Sequence, residues 1–453
     1  MYEIGSTDRT EGAPRGASRR RLLAGSLAGV TAVGALTACN RGPATESSGP
    51  RTLSKESLTL TWATPGNQQE QEVYGKVAET FTQTYPNITV NRDAPAADLT
   101  KLISLITSDS APEIMFATIN NWPSLAVQNV WLALDDLIRR DRFDLQDFFP
   151  QIVKPYRYDG KRFGDGKLYG LAKEIAVRAM YYNADHFQDS GVTAPAPDTA
   201  WTWDEFRTAA RQVTKRSGDT VERYGYAMET WWGMWAIWAW ANGGEVVDDP
   251  WAPTKATMDT PAVIEALEFW GGLVAREKVA PPLSAYSTLG KSDHFAQGRA
   301  SMYNNGRWMV PLFRRSTFNW DVMLMPRNKQ RAQLLTGSIF GVSRATRWPD
   351  ESWELLKFIN SKESQALMTE LGLLFPSRQS VARSDTFLKS TPPARSELFL
   401  KDVEVARVLP MHPRYPEMER AVGTESDAVL NGAKSAAAAA REMTTQVNLL
   451  LTS

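Results

Sequence analysis

Between residues 58 and 117 the chain alternates between two hydrophobic periods, and this alternation restricts the fold more than any other feature. Leu58-Thr-Leu-Thr-Trp62 switches between apolar and polar residues as a strand does, and Pro65-Gly66-Asn67 breaks it. Residues 68–85 then place Val73, Val77, Ala78 and Phe81 at helical spacing. A second strand at 88–90, a helix at 98–107 and a third strand at 113–117 continue the pattern. Such a β-α-β-α-β succession predicts an α/β domain with a mostly parallel sheet. In open sheets of this kind ligands sit beyond the carboxyl ends of the strands. Trp62 and Thr64 after the first strand, and Thr118, Asn120 and Asn121 after the third, are therefore candidates for contact with a ligand.

The amino terminus reads as an address. Residues 1–17 are polar and lack periodicity. Next come SRRRLL at 18–23, an uncharged apolar run over 22–38, and Leu36-Thr-Ala-Cys39. This order is that of a twin-arginine secretion signal over 1–38 ending in a lipobox. The apolar run is shorter than the roughly 20 residues of a membrane span and is rich in Gly, Ala and Thr. Cys39 is the only cysteine of 453 residues, which excludes an intramolecular disulfide framework and places the one thiol where a lipobox would have it acylated. Acyl chains, at about 0.8 kcal/mol per buried methylene, would hold the protein on the outer face of the cytoplasmic membrane. Residues 39–57, the lipidated Cys39 and a Gly, Pro, Ser and Thr stretch behind it, read as the tether.

The body beyond Cys39 is too long for one hydrophobic core and about right for two lobes. Acidic and basic residues balance at 51 each, which leaves no electrostatic footprint for nucleic acid. Cofactor and catalytic motifs are missing. His186, His294 and His412 form no pair of metal-ligand spacing, so no metal site is expected. Gly290-Lys291-Ser292 ends like a phosphate loop, but Ala285 stands where its first Gly belongs. There is no Gly-x-Ser-x-Gly elbow. A pair of carboxylates for glycoside hydrolysis stays open, because spatial separation defines it.

Tryptophan is abundant, at 16 residues, and position has to separate core filling from ligand stacking. In METWWGMWAIWAWA, over 228–241, Trp235, Trp238 and Trp240 read as the packed part of a helix. Trp231 and Trp232 stand at its start, where a helix can open onto a cleft. Trp308 follows Gly306 and precedes Pro311, the context of an exposed platform. Trp62 is open between capping a sheet and touching a ligand.

Several segments in order carry a family resemblance: Glu113-Ile-Met-Phe-Ala117, Lys167-Leu-Tyr-Gly-Leu171 running into Tyr181-Tyr-Asn-Ala-Asp185, Trp201-Thr-Trp-Asp-Glu205, Phe295-Ala-Gln-Gly-Arg-Ala300 with Gly306-Arg-Trp308, and Trp353-Glu-Leu-Leu-Lys-Phe358. Together they resemble the extracellular solute-binding proteins of family 1, the maltose-binding-like receptors of carbohydrate ABC importers. The resemblance implies a two-lobed periplasmic-binding-protein-like fold of type II, with discontinuous lobes joined by three hinge crossings near Glu174, in 326–336 and in 374–378. The lobes would comprise 58–174 with about 327–377, and 175–326 with 378–453. It further implies a non-catalytic monomer without cofactor that binds a sugar or oligosaccharide and delivers it to permease subunits of an ABC importer. The implied ligand residues are Trp62, Thr64, Asn120, Glu174, Trp231, Trp232, Trp308, Gly337, Ser338 and Arg414. Glu174 would accept hydrogen bonds from hydroxyls, and Arg414 could pair with an anionic ligand. The alternatives are a secreted glycoside hydrolase, a tethered sensor, and a receptor for an anionic solute such as a glycerol phosphate.

Overall fold

In the computed structural model, residues 53–452 are described apart from 67, 93–98, 109 and 373. The signal segment 1–38, Cys39 and the tether as far as residue 52 lie outside the described residues. No helix among the described residues is long and apolar enough to cross a membrane.

The opening alternation folds into Leu58–Thr61, Gln68–Thr84, Ile88–Asn91, Leu99–Thr107 and Ile114–Thr118 in the expected order. Leu58 pairs in parallel with Ile88, and a parallel bridge from Trp62 to Ile114 adds the third strand on the other side. Parallel pairing within this sheet ends there. Thr336–Val342, more than 200 residues downstream, lies antiparallel to Ile114–Thr118 on one side and to Leu171–Ala176 on the other. The sheet is thus mixed, because two of its strands come from chain segments that enter from elsewhere instead of through a crossover helix.

A second sheet has the order Trp320–Met323, Ala179–Asn183, Ala300–Asn305, Thr220–Ala227, Lys215–Ser217. Its side chains alternate between two cores. Tyr181 and Tyr303 pack with Phe295 and Phe313, whereas Met180, Tyr182, Tyr226 and Met302 face the tryptophan-rich helix Trp232–Ala241. The period of two sends neighbouring residues to opposite faces, and both faces are covered. The helix is buried all round, with Trp238 against Trp203, Phe206 and Phe269. Trp203 opens its own helix, Trp203–Val213, behind a capping box in which the Thr202 hydroxyl and the Glu205 carboxylate each accept from the other's backbone N–H.

Two chain passes connect the sheets, and a third runs from beside the first sheet to the C-terminal helices. The first is Val177-Arg178, between a strand of each sheet. The second runs from Met323 to Thr336 and includes Gln333–Leu334, paired in parallel with Ala406–Arg407. The third runs beside Leu171–Ala176, where Glu174 bridges Pro376, Ile175 N donates to Phe375 O, and Ser377 Oγ donates to Ala172 O. Glu174 is flanked by Ser338 on one side and Pro376 on the other, so all three passes converge around it.

Candidate functional site

The convergence creates a cavity of about 280 Å³, lined by Phe116, Thr118, Ile119, Asn120, Glu174, Ala176, Arg178, Trp231, Trp308, Thr336, Gly337 and Ser338. Its floor depends on an irregularity. Ser338 faces Glu174 but Ile339 faces Ala172, so Lys173 is an extra residue in its strand. Such a bulge interrupts the alternation of faces and re-aims side chains. Here the Lys173 Nζ comes within 3.4 Å of Glu174 Oε2 while also donating to the Tyr74 hydroxyl at 3.1 Å. Burial would depress the Lys173 ammonium, but Glu174, Tyr74 and Glu70 outweigh it and hold it above its usual range. Burial pushes the Tyr74 hydroxyl up to about 12. The other carboxylate oxygen, Glu174 Oε1, accepts from Ser338 Oγ at 2.7 Å. Gly337 leaves room for this pairing: a Cβ there would lie 2.8 Å from the Glu174 carbonyl oxygen.

The walls are aromatic. Trp231 occupies the N-cap of the tryptophan-rich helix and Trp308 lies in the 3₁₀ turn Arg307–Met309, both half-buried. Each ring folds over a glycine two residues away. A Cβ on Gly233 would meet the Trp231 ring at 2.3 Å, and one on Gly306 would meet the Trp308 ring at 2.0 Å. Close approach, not backbone conformation, therefore calls for glycine at both places. The two segments are tied together: Tyr303 OH donates to Glu229 Oε1 at 2.6 Å, Asn305 Nδ2 donates to Tyr303 OH at 2.6 Å, and Gly306 N donates to Asn305 Oδ1 at 2.8 Å.

Arg178 lies between the walls. Its Cζ is 4.7 Å from the Trp308 ring centroid and 5.8 Å from that of Trp231, and Nη1 donates to Thr336 Oγ1 at 2.9 Å. Gln333 Nε2 holds the Arg178 carbonyl and also donates to Asp402 Oδ2 at 3.0 Å. Burial pushes the Asp402 carboxyl up to about 6, against the opposing pull of Arg331 and Gln333. Its folded value lies above the ordinary carboxylate value, so the folded state holds the proton more tightly. Below both values the two states are protonated alike, and the penalty develops as pH rises between them. Relative to wild type, Asp402→Asn is expected to gain up to about 3 kcal/mol of stability as pH is raised from about 4 to above 6. Urea unfolding of both proteins across that range checks it.

Six of the ten ligand residues implied by the resemblance, Asn120, Glu174, Trp231, Trp308, Gly337 and Ser338, line this one cavity, as does the strand-end candidate Thr118, while Asn121 turns its Oδ1 to accept from Thr118 N at 2.7 Å. The other four lie elsewhere. Trp62 has no exposed surface and packs edge-on against Tyr74 and Phe340 at 5.2 and 5.3 Å. Thr64 is turned inward, its hydroxyl donating to Gln71 Oε1 at 2.8 Å. Trp232 is fully buried and stacks on Tyr415 at 5.8 Å. Arg414 is the N-cap residue of Tyr415–Leu430 and lines a different groove with Arg420 and Leu449. Strand-end position alone places Trp62 and Thr64 near a cleft, yet contacts made by Phe340 and Gln71 take them into the core. Of the cavity residues outside the candidate set, Arg178 carried a readable signal: a lone cation in the otherwise apolar run 175–181.

Residues 76–394 match the family described as bacterial extracellular solute-binding protein. A putative binding protein of Brucella abortus is 24% identical over 254 residues, 54% of this chain; the chain spans 59% of that relative's length. Among solved structures, an ABC substrate-binding protein from Listeria monocytogenes in complex with cycloalternan superposes with a TM-score of 0.78 at 23% identity, over 88% of this chain and 99% of that one. A maltose-bound T. maritima protein superposes with a TM-score of 0.73 at 20% identity, over 87% and 100%. These likenesses identify the fold as that of two-lobed periplasmic solute-binding proteins.

Proposed function

Because the chain belongs to the bacterial extracellular solute-binding family, and so acts outside the cytoplasm, we propose that it captures a sugar or oligosaccharide in the cavity around Glu174 and presents it to an ABC importer. The observation that carries this reading is the lining: two half-buried tryptophan faces, a carboxylate, an amide and several hydroxyls converge on one space. Ring faces of a sugar stack on aromatic surfaces, and its hydroxyls need acceptors such as Glu174 and Asn120. Saccharides bound in the Listeria and T. maritima structures support the same class of ligand.

The lobes would be 58–174 with about 327–377, and 175–326 with 378–453, closing on ligand about the three passes that meet at Glu174. The chain would be exported through its twin-arginine signal, tethered at Cys39 and monomeric, with permease subunits as partners. Hydrolysis is disfavoured by the lining, since Glu174 is its one carboxylate among the described residues and glycosidases need two. Calorimetry of the purified protein against mono- and oligosaccharides is expected to show saturable 1:1 binding. The carbohydrate reading is lost if amino acids or peptides bind and no saccharide does; turnover of a chromogenic glycoside, abolished in Glu174→Gln, would instead favour the hydrolase.

A further inference from the structure

The charges around the cavity are unevenly paired. Glu174 is satisfied by Ser338 and Lys173. Glu229 accepts from Tyr303 and Asn305 and lies 3.7 Å from Lys291. Arg178, only 3% exposed, forms no ion pair within 4 Å among the described residues. Its close neighbours are a hydroxyl and two ring faces, and its Nε is buried without a hydrogen-bond partner among the described residues. A ring face attracts a cation but does not neutralise it, and a buried charge left unpaired is costly. Burial accordingly lowers the Arg178 guanidinium to about 10, with Glu229 and other neighbours offsetting only part of that effect. The side chain is also built in, since Gln333 grips its carbonyl and Thr336 its Nη1.

Resting on the carbohydrate reading, we infer that the ligand is an acidic saccharide, with a carboxylate or phosphate held by Arg178 between Trp231 and Trp308. The anion would take the in-plane N–H groups of the guanidinium, which favour planar, charge-assisted hydrogen bonds, while the flanking indoles hold sugar carbons. This places the anion at Val177-Arg178, the first of the passes between the sheets, so that binding and lobe closure would act on the same residues. The anion-pairing role considered for Arg414 thereby passes to Arg178, because Arg414 lines another groove.

The test compares matched probes by calorimetry on wild type, Arg178→Gln and Arg178→Lys, with circular dichroism confirming the fold of each variant. The probes are digalacturonate against galactobiose, glucose 1-phosphate against glucose, and sn-glycerol 3-phosphate. One acidic sugar is expected to bind at least about tenfold more tightly than its neutral partner, an advantage that shrinks with salt, disappears in Arg178→Gln and partly survives in Arg178→Lys. The member of the acidic pairs that binds tells carboxylate from phosphate. Equal or tighter binding of the neutral sugars, or an acidic preference that persists in Arg178→Gln, overturns the inference and leaves the carbohydrate reading standing. Absence of binding by every acidic probe also overturns it. Binding of glycerol 3-phosphate with no saccharide bound would sink the carbohydrate reading while retaining Arg178 as the counter-ion.

Discussion

Trp62→Ala is expected to lower the unfolding free energy by about 3–5 kcal/mol, the usual cost of removing a large aromatic side chain from a packed core. Trp62 is fully buried at the junction of the first and third strands, edge-on to both Tyr74 and Phe340. Its indole Nε1 finds no acceptor among the described residues, so the side chain serves by volume and ring contact. Trp62→Phe should consequently cost much less than Trp62→Ala. Trp62 does not line the cavity, although it packs on Tyr74, the partner of Lys173, and on Phe340, which contacts the lining residue Phe116; the folded variants should therefore lose much less saccharide affinity than Trp308→Ala does. Urea unfolding followed by circular dichroism, with calorimetry on the folded fraction, reads both effects. A large affinity loss at unchanged stability would return Trp62 to the ligand site.

Trp308→Ala should do the reverse. Its ring lines the cavity and covers one side of the Arg178 guanidinium. Truncation would remove a stacking surface and the nearer of the cation's two aromatic neighbours together, and aromatic anchors of this kind cost about 2 kcal/mol or more, roughly thirtyfold in affinity. Because the ring is only half-buried, the stability loss should be smaller than that of Trp62→Ala. Trp308→Phe should recover part of the affinity. Gly306→Ala offers a second route to the same end, since its Cβ would overlap the Trp308 ring and swing it away without altering the indole. If Trp308→Ala and Gly306→Ala both bind the wild-type saccharide with unchanged affinity, the cavity around Glu174 is not where the ligand sits.

Opposite expectations for two tryptophans of similar sequence context show where pattern reading stops. Trp231 and Trp232 are adjacent, yet the former lines the cavity as the N-cap residue and the latter is stacked on Tyr415, nearly 200 residues away. Periodicity identified the helix and consigned Trp235, Trp238 and Trp240 to its packed part, where they are buried. It carried no information about the partner that covers Trp232. Glu174 and Ser338 were candidates separately, through the family resemblance, but their hydrogen bond depends on a bulge at Lys173 and on a strand pairing across more than 160 residues. A period of two names the two faces of a strand and not which face is buried, and here both faces of the second sheet are covered.

By itself the sequence determined the α/β class, the order of the opening elements and the tryptophan helix, because these follow from local periodicity, capping and turn residues. It also marked strand ends and glycine-flanked aromatics as places where a site could form. Only the tertiary structure decided that Trp62, Thr64 and Trp232 face inward, that Arg414 belongs to another groove, and that Arg178 lies between two indoles with no ion-pair partner among the described residues. Those outcomes depend on which distant segment packs against each side chain. Such contacts arise from long-range strand pairing around the three passes, and a one-dimensional pattern does not encode them.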